Sequence, residues 1–466
     1  MNNWRGITMR LLSSSVAWSW AFNVVRLASG VLLIPLLLHY LTKTEMGMYY
    51  VFLSLNALGP LMDFGFLNAI DRNVGYAMAG VTELKAHGAV RSEANSSGPN
   101  YPLLWRLLHT TRALYRVFAM VLFVVLLVWG TYVVSLGAAQ TPQPQLTWLA
   151  FGIGLAATTL ELYSVWWSVF LRGMNQVLAG TRILVSVYLV RIVLSCALLL
   201  AGGGLLSIPI SGLLTSLLMR YLARRSCLGF LSAHPSPTPT RAEILALLRI
   251  LWPNSWRLGV QLFSNYLATN MNTFICLHVF EDPLEVSARY GLSMQILNIL
   301  VTMAGVWVSV KWPIISQFRA RHDLSSLRKV FWPRLWLFKI SYILLALMAV
   351  WVAPFLLGWL GTNKTMLPSP WLGLAACYIF LEGQLTVWAT LIITENRLPF
   401  LWPFVGANVL CPYLVLLLLI TTDLGVGALV VGPLIAGSLL NYWYWPMEGA
   451  RSLESRWWRF LLTRPA

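Results

Sequence analysis

The chain has 466 residues, of which 58% are hydrophobic and 11% charged, and its mean hydropathy is +0.69. Soluble domains carry about 25% charged residues, so this composition argues against a water-soluble protein. The formal net charge of +17 first suggests nucleic acid. The basic residues lie in loops between apolar runs, however, which is the pattern of membrane topology and of contact with anionic lipid. No nucleic-acid partner is therefore predicted.

Apolar runs long enough to cross a bilayer, about 20 residues, occur twelve times along the chain. They lie at 13–38, 48–70, 113–136, 147–170, 178–200, 205–222, 255–279, 290–315, 335–357, 370–394, 399–420 and 425–446. The first run is too long for a signal-peptide core and is interpreted as a retained span. The sequence predicts an all-α polytopic membrane protein with about 12 transmembrane helices.

The distribution of Lys and Arg predicts the orientation. Of the 33 basic residues, 27 fall on the side of the two termini, whereas only Lys43, Arg289 and Lys364 fall in the opposite loops. Cytoplasmic loops are enriched in Lys and Arg. Both termini are therefore predicted to be cytoplasmic, in a multi-pass protein.

A Pro-rich linker, 233–240 (A-H-P-S-P-T-P-T), separates six spans from six. It predicts a six-helix bundle at 1–232 and a second at 241–466. Three residues of the fourth span and one residue shortly after it recur 221 positions later, in and after the tenth span. The pairs are Leu160 and Leu381, Glu161 and Glu382, Trp167 and Trp388, and Asn175 and Asn396. Six spans per half then imply a parallel pseudo-repeat, an arrangement in which substrate lies between the halves.

Three spans carry polar stripes at helical spacing. The stripes are Ser15, Ser19, Asn23, Arg26 and Gly30 in the first span, Arg257, Gln261, Asn265, Thr269 and Asn272 in the seventh, and Gln295, Asn298, Thr302 and Ser309 in the eighth. The first and seventh spans hold equivalent positions in the two halves, so both are predicted to line one polar cleft. The alternative is that small and amide side chains hold helices together.

The arginines separate these two interpretations. A charge in mid-membrane costs at least about 2.5–3.5 kcal/mol, so Arg26 is expected to face a wet cavity or a counter-charge. Arg257 lies near the cytoplasmic end, where snorkelling also explains it. The candidate substrate-binding residues are Asn23, Arg26, Arg257, Gln261, Asn265 and Asn272.

Other ionisable residues lie within spans. Asp63, Glu161, Arg191 and Glu382 are candidates either for ion coupling or for a structural pair. Glu161 and Arg191 lie on adjacent spans at depths that favour pairing.

Enzymatic chemistry has little support in the sequence. There is no G-x-x-x-x-G-K-[ST] phosphate loop, the histidines form no H-E-x-x-H pair, and the five cysteines lie singly. We predict no catalytic residues, no metal and no cofactor. The short loops opposite the termini disfavour a membrane glycosyl- or acyltransferase.

Several segments resemble one transporter family. They are Arg26-Leu-Ala-Ser-Gly30, Ile34-Pro-Leu-Leu-Leu38, Glu45-Met-Gly-Met-Tyr-Tyr50, Pro60-Leu-Met-Asp-Phe-Gly65 with Arg72, Asn254-Ser-Trp-Arg257, Tyr290-Gly-Leu-Ser293 and Asn396-Arg-Leu-Pro-Phe400. They resemble the polysaccharide transporters, which are Wzx-type oligosaccharide flippases of the multidrug/oligosaccharidyl-lipid/polysaccharide (MOP) exporter superfamily.

The resemblance implies a flippase in a bacterial cytoplasmic (inner) membrane. Its substrate would be an undecaprenyl-pyrophosphate-linked oligosaccharide for a surface polysaccharide such as lipopolysaccharide O-antigen or exopolysaccharide. Membrane lipids, H⁺ or Na⁺ as coupling ion, and polysaccharide polymerase or assembly proteins are the further partners it implies. The alternative within the superfamily is a cation-coupled multidrug antiporter, which should line its cleft with acidic groups.

Overall fold

The computed structural model describes residues 15–82, 84, 98–359, 362–395, 401–455 and 460, apart from a few side chains within the helices. These residues form helices joined by short turns, and the part of the chain described contains no strand. Lipid offers no partner to a free peptide group, so a spanning segment must satisfy its own backbone. The predicted all-α polytopic membrane fold is confirmed.

The helices up to the Pro-rich linker are α1 to α9. Their bounds are α1 Ser15–Tyr40, α2 Lys43–Asn56, α3 Leu58–Met62, α4 Phe66–Met78, α5 Tyr101–Val125, α6 Thr131–Ala138, α7 Pro144–Gly173, α8 Val177–Leu200 and α9 Ser207–Leu231. A π-helical turn, Leu126–Gly130, joins α5 to α6, and a 3-10 turn, Gly204–Leu206, precedes α9.

The helices after the linker are α10 to α16. Their bounds are α10 Arg241–Val279, α11 Pro283–Ser309, α12 Trp312–Ala320, α13 Leu324–Trp359, α14 Ser369–Ile393, α15 Leu401–Thr421 and α16 Ala428–Ser452. The tryptophans of the predicted repeat, Trp167 in α7 and Trp388 in α14, are both buried, whereas Asn396 lies outside the described residues.

Within the described residues, eleven helical segments are long and apolar enough to cross a membrane. The missing one is the predicted seventh span, 255–279. It lies in α10, which has 39 residues and is long enough. Its polar stripe and the amides beside it lower its hydropathy below that of the other spans, so composition alone does not select it.

The second span is a broken helix. The segment Lys43–Met78 is apolar enough to cross, but turns at Ala57 and at 63–65 divide it into α2, α3 and α4. Phe64 and Gly65 both adopt positive φ, 49° and 75°. The sequence predicts one continuous run here, because positive φ at a single turn leaves no trace in hydropathy. Discontinuous helices in membrane proteins line cavities, where the freed backbone groups find partners.

The chain divides into two compact units, 1–263 and 264–466. This boundary falls inside α10, whereas the predicted bundles meet at the linker 233–240. The bundle limits 1–232 and 241–466 therefore stay a prediction.

The turn at 63–65 generates a first test. Gly65 precedes α4 in the left-handed region, and a Cβ there would lie 2.5 Å from the Cβ of Leu258 in the same unit. We expect Gly65→Ala to lower stability by more than the ~1–2 kcal/mol of the left-handed backbone alone. The measurement is thermal unfolding in detergent, followed by tryptophan fluorescence.

Gly152→Ala is the matched control, because Gly152 lies within α7 and a Cβ there meets nothing within 4 Å. It should leave the melting temperature unchanged or slightly raised. Equal melting temperatures for the two variants would contradict the described turn.

Candidate functional site

The first unit encloses a cavity of about 400 Å³ beside the broken second span. Residues of α2, α3, α7, α8 and α9 contribute to its wall, which is mostly apolar. The polar lining residues are Asn56, Asp63, Thr158, Glu161 and Arg191. The cavity therefore places three of the four ionisable candidates together, in one unit.

Asp63 lies at the break between α3 and α4 and is 6% exposed. Its carboxylate accepts a hydrogen bond from the backbone N–H of Leu67 at 3.2 Å, at the start of α4. It also accepts one from the hydroxyl of Tyr115 in α5. A buried carboxylate needs such donors. The break in the span supplies one donor, and a neighbouring helix supplies the other.

Asn56 and Thr158 form a second polar contact in the cavity wall. The Thr158 hydroxyl donates to the side-chain oxygen of Asn56 at 2.6 Å. Gly59 lies beside this contact, since a Cβ there would be 3.3 Å from the Thr158 methyl group. This bond joins α2 to α7 near the first break in the second span.

Glu161 and Arg191 form an ion pair with a 3.7 Å N–O distance. Their side chains are 54% and 35% exposed, so the pair opens onto accessible space. Arg191 also approaches α9, where a Cβ on Gly212 would be 3.7 Å from a guanidinium nitrogen. Both residues therefore pair with each other and line the cavity.

The second unit contains the equivalent acid, Glu382, in α14. Its carboxylate accepts a hydrogen bond from the Tyr442 hydroxyl of α16 at 2.8 Å. Asn272 is also buried in this unit, where it donates to the Tyr290 hydroxyl at 2.7 Å and to the Leu429 carbonyl at 3.0 Å. Both residues bind neighbouring helices of their own unit.

The predicted stripes are largely accessible. Asn23 of α1, and Arg257 and Asn265 of α10, are exposed, and Gln261 is half-buried. The Arg257 guanidinium lies 5.8 Å from the ring centroid of Trp256. The side chain of Arg26 lies outside the described part of the structure. Of the five substrate-binding candidates whose side chains are described, Asn272 is the buried one.

The two tyrosines that bind the buried acids are not among the residues predicted from the sequence. Tyr115 and Tyr442 lie in apolar runs, where a phenol usually needs a hydrogen-bond partner. That requirement was the available signal. The pairing itself joins residues 52 and 60 positions apart, which no local pattern reveals.

Solved transporters share this architecture. An inward-facing multidrug resistance MATE family transporter of the MOP superfamily superposes with a TM-score of 0.62 at 13% identity, covering 92% of this chain and 99% of that one. The DinF-BH MATE multidrug transporter in complex with R6G gives 0.60 at 13% identity, covering 92% and 94%. The chain has the fold of MOP-superfamily transporters.

A third MOP-superfamily structure, from Pyrococcus furiosus, gives a TM-score of 0.56 at 14% identity and covers 96% of each chain. For that protein, a reversed polarity of the binding pocket suggests a different function. No family model and no curated protein matches this chain. At this identity the likeness establishes the MOP fold, and the substrate has to be argued from residues.

The Asp63–Tyr115 contact gives a second test. Tyr115→Phe removes one of the two donors to a buried carboxylate, and hydrogen bonds to charged groups contribute about 1.5–3 kcal/mol. We expect a clear fall in the thermal unfolding midpoint in detergent. Tyr413→Phe is the control, because that side chain is 66% exposed. An unchanged midpoint for Tyr115→Phe would contradict the contact.

Proposed function

We propose that this protein is a flippase for a lipid-linked oligosaccharide. It would move an undecaprenyl-pyrophosphate-linked oligosaccharide from the cytoplasmic to the outer leaflet by alternating access, for surface polysaccharide biosynthesis. We place it in a bacterial cytoplasmic membrane with both termini inside, where lipids and polysaccharide assembly proteins are its partners.

The observation that carries this proposal is the polar face of α10. Arg257 is exposed at the start of the face, and Asn265 and Thr269 continue it as accessible side chains. The sequence from Arg257 to Val279 contains no acidic residue. The face therefore offers one cation followed by amide and hydroxyl groups, which suits a diphosphate followed by sugars.

Coulomb attraction favours an anionic substrate here. Two unit charges 4 Å apart attract by about 4 kcal/mol at an effective dielectric constant of 20 and by about 1 kcal/mol in water. An arginine in a partly dry membrane cleft thus strongly favours an anionic substrate over a cationic one. Arg26 of α1 is the second proposed ligand of the diphosphate, on the evidence of its position in the first polar stripe.

Asp63 is our candidate for coupling to H⁺ or Na⁺. It lies at a break in a spanning helix and lines a cavity, which is where transporters place coupling-ion sites. Glu161, in the same cavity, and Glu382, in the second unit, are the further candidates. Glu382 is bound by Tyr442, and Glu161 by Arg191, so each already has a structural partner.

A cation-coupled multidrug antiporter is the second candidate function. One observation favours it: the cavity of the first unit contains two carboxylates, Asp63 and Glu161, against one arginine. The superposed structures include multidrug transporters, one of them in complex with R6G. If this cavity admits the substrate, the preferred charge would be positive.

The flippase proposal is tested by Arg257→Ala and Arg26→Ala in proteoliposomes containing a fluorescent polyprenyl-diphosphate oligosaccharide. Each should lower the flipping rate at least tenfold, because a lost diphosphate contact removes 1.4 kcal/mol or more. The matched control is Arg241→Ala, an exposed arginine in the first turn of α10. Wild-type rates for Arg26→Ala and Arg26→Lys together would overturn the diphosphate role.

The coupling proposal is tested by Asp63→Asn in the same vesicles with an imposed H⁺ or Na⁺ gradient. We expect flipping that no longer responds to the gradient, because asparagine neither binds a proton nor carries a charge. Asp71→Asn is the control, since Asp71 forms an ion pair with Arg172 at 2.9 Å at the end of α7. A gradient response that survives Asp63→Asn would move the coupling role to Glu161 or Glu382.

A further inference from the structure

Three arginines of the first unit converge on one tyrosine. Arg112 and Arg116 lie one helical turn apart on α5, and Arg220 lies on α9. The guanidinium groups of all three lie near the hydroxyl of Tyr163 in α7. The Arg220 guanidinium carbon is 4.3 Å from the centroid of the Tyr163 ring. We call these four residues the arginine cluster.

The arginine cluster lacks a counter-charge among the described residues. None of its arginines has a carboxylate within 4.0 Å there. Every described carboxylate of the first unit binds elsewhere: Glu45 to Thr42, Asp63 to Tyr115, Asp71 to Arg172, Glu161 to Arg191 and Glu243 to Arg106. The two remaining acids of this unit, Glu83 and Glu93, lie outside the described residues.

Glu243 is one of these acids, and it has several partners of its own. It lies at the start of α10, where the backbone N–H and the hydroxyl of Thr240 donate to it at 2.8 and 3.0 Å. These hydrogen bonds, and then the charge of Arg106, lower the pKa of the Glu243 carboxyl.

Three cations around a neutral hydroxyl form an incomplete arrangement. Like charges repel one another, here on two exposed arginines and one half-buried arginine, and a phenol oxygen accepts hydrogen bonds without neutralising any charge. One terminal nitrogen of Arg220 is also buried with no acceptor, and an unsatisfied buried donor costs about 1–3 kcal/mol. An anion with several oxygens would relieve both the repulsion and the missing acceptor.

The arginine cluster lies at the level of lipid headgroups. Arg112 directly precedes the predicted third span, 113–136, and Arg220 lies near the end of the predicted sixth, 205–222. Both ends belong to the side that is predicted to be cytoplasmic. Guanidinium groups form two parallel hydrogen bonds to the oxygens of carboxylates and phosphates alike, and a phosphate group brings more negative charge to three cations than a carboxylate or chloride does.

The geometry points to a binding site for the phosphate group of a membrane lipid, formed by Arg112, Arg116 and Arg220. A diphosphate suits it best, because it brings more than one negative charge to three cations. We infer that the isoprenyl diphosphate of the substrate docks here in the cytoplasmic leaflet. That choice of lipid rests on the proposed function, whereas the phosphate site itself does not.

The test is binding of farnesyl diphosphate to the full-length protein in nanodiscs of neutral phosphatidylcholine, measured by microscale thermophoresis. Arg112→Gln with Arg116→Gln, and separately Arg220→Gln, should each weaken binding at least tenfold. The control is the double variant Arg241→Gln with Arg249→Gln. It replaces two exposed arginines of the same unit and removes the same charge as the double variant of Arg112 and Arg116. This control should stay within threefold of wild type.

Tyr163→Phe separates a binding site from a structural contact. It keeps the ring and all three cations, so affinity should stay within threefold of wild type. If the arginines served only to hold the Tyr163 hydroxyl, the arginine variants would lower the unfolding midpoint without changing farnesyl diphosphate affinity, and the site would be overturned. Arg220→Lys replaces Arg220→Gln if the latter does not fold, and should show intermediate affinity.

Two further arms identify the source of the phosphate. Inorganic pyrophosphate that binds as tightly as farnesyl diphosphate indicates a site for a free anion, which overturns lipid docking. Competition by phosphatidylglycerol that the arginine variants abolish supports a phospholipid headgroup and overturns the choice of isoprenyl diphosphate. If the protein binds farnesyl diphosphate through the arginine cluster and yet flips no such lipid, that result supports the phosphate site and contradicts only the flippase proposal.

Discussion

Hydrocarbon solvates neither a free peptide group nor a charge, and the arrangement of this protein follows from both limits. The backbone requirement leaves helices as the spanning elements, and the span that is broken into α2, α3 and α4 lies beside a cavity. Consistent with the limit on charge, each described carboxylate of the first unit contacts a hydrogen-bond donor or a basic side chain. The arginine cluster differs from these acids, because none of its arginines has a carboxylate within 4.0 Å among the described residues.

The helical framework could be predicted from sequence because hydropathy measures the property that the bilayer selects. Ten of the predicted runs correspond to separate apolar helices, and the second corresponds to a segment divided by turns. The turn at 63–65 escaped prediction because positive φ at Phe64 is a local backbone property without a compositional signal. The predicted seventh span is a different case, because its composition hides a helix that the structure contains. Its polar face suggested a role in transport, and the same face lowers its hydropathy.

The candidate site was less predictable, since it depends on pairs distant in sequence. Asp63 and Glu382 were recognisable as buried acids, but their tyrosine partners come from helices that only the fold brings together. The arginine cluster was likewise invisible, because Arg112, Arg116 and Arg220 looked like ordinary basic residues of cytoplasmic loops. At 13% identity, the shared MOP fold does not identify the substrate of this protein. Accessible arginines favour an anion, whereas the acidic cavity is the feature an antiporter would use.

The sign of the transported charge is therefore the central question. The most direct measurement compares two substrates in the same wild-type proteoliposomes: a fluorescent polyprenyl-diphosphate oligosaccharide and a cationic rhodamine dye, each under an imposed H⁺ or Na⁺ gradient. Our account predicts gradient-sensitive flipping of the lipid and no transport of the dye. Export of the dye without flipping of any diphosphate lipid would contradict it and would identify the protein as an antiporter.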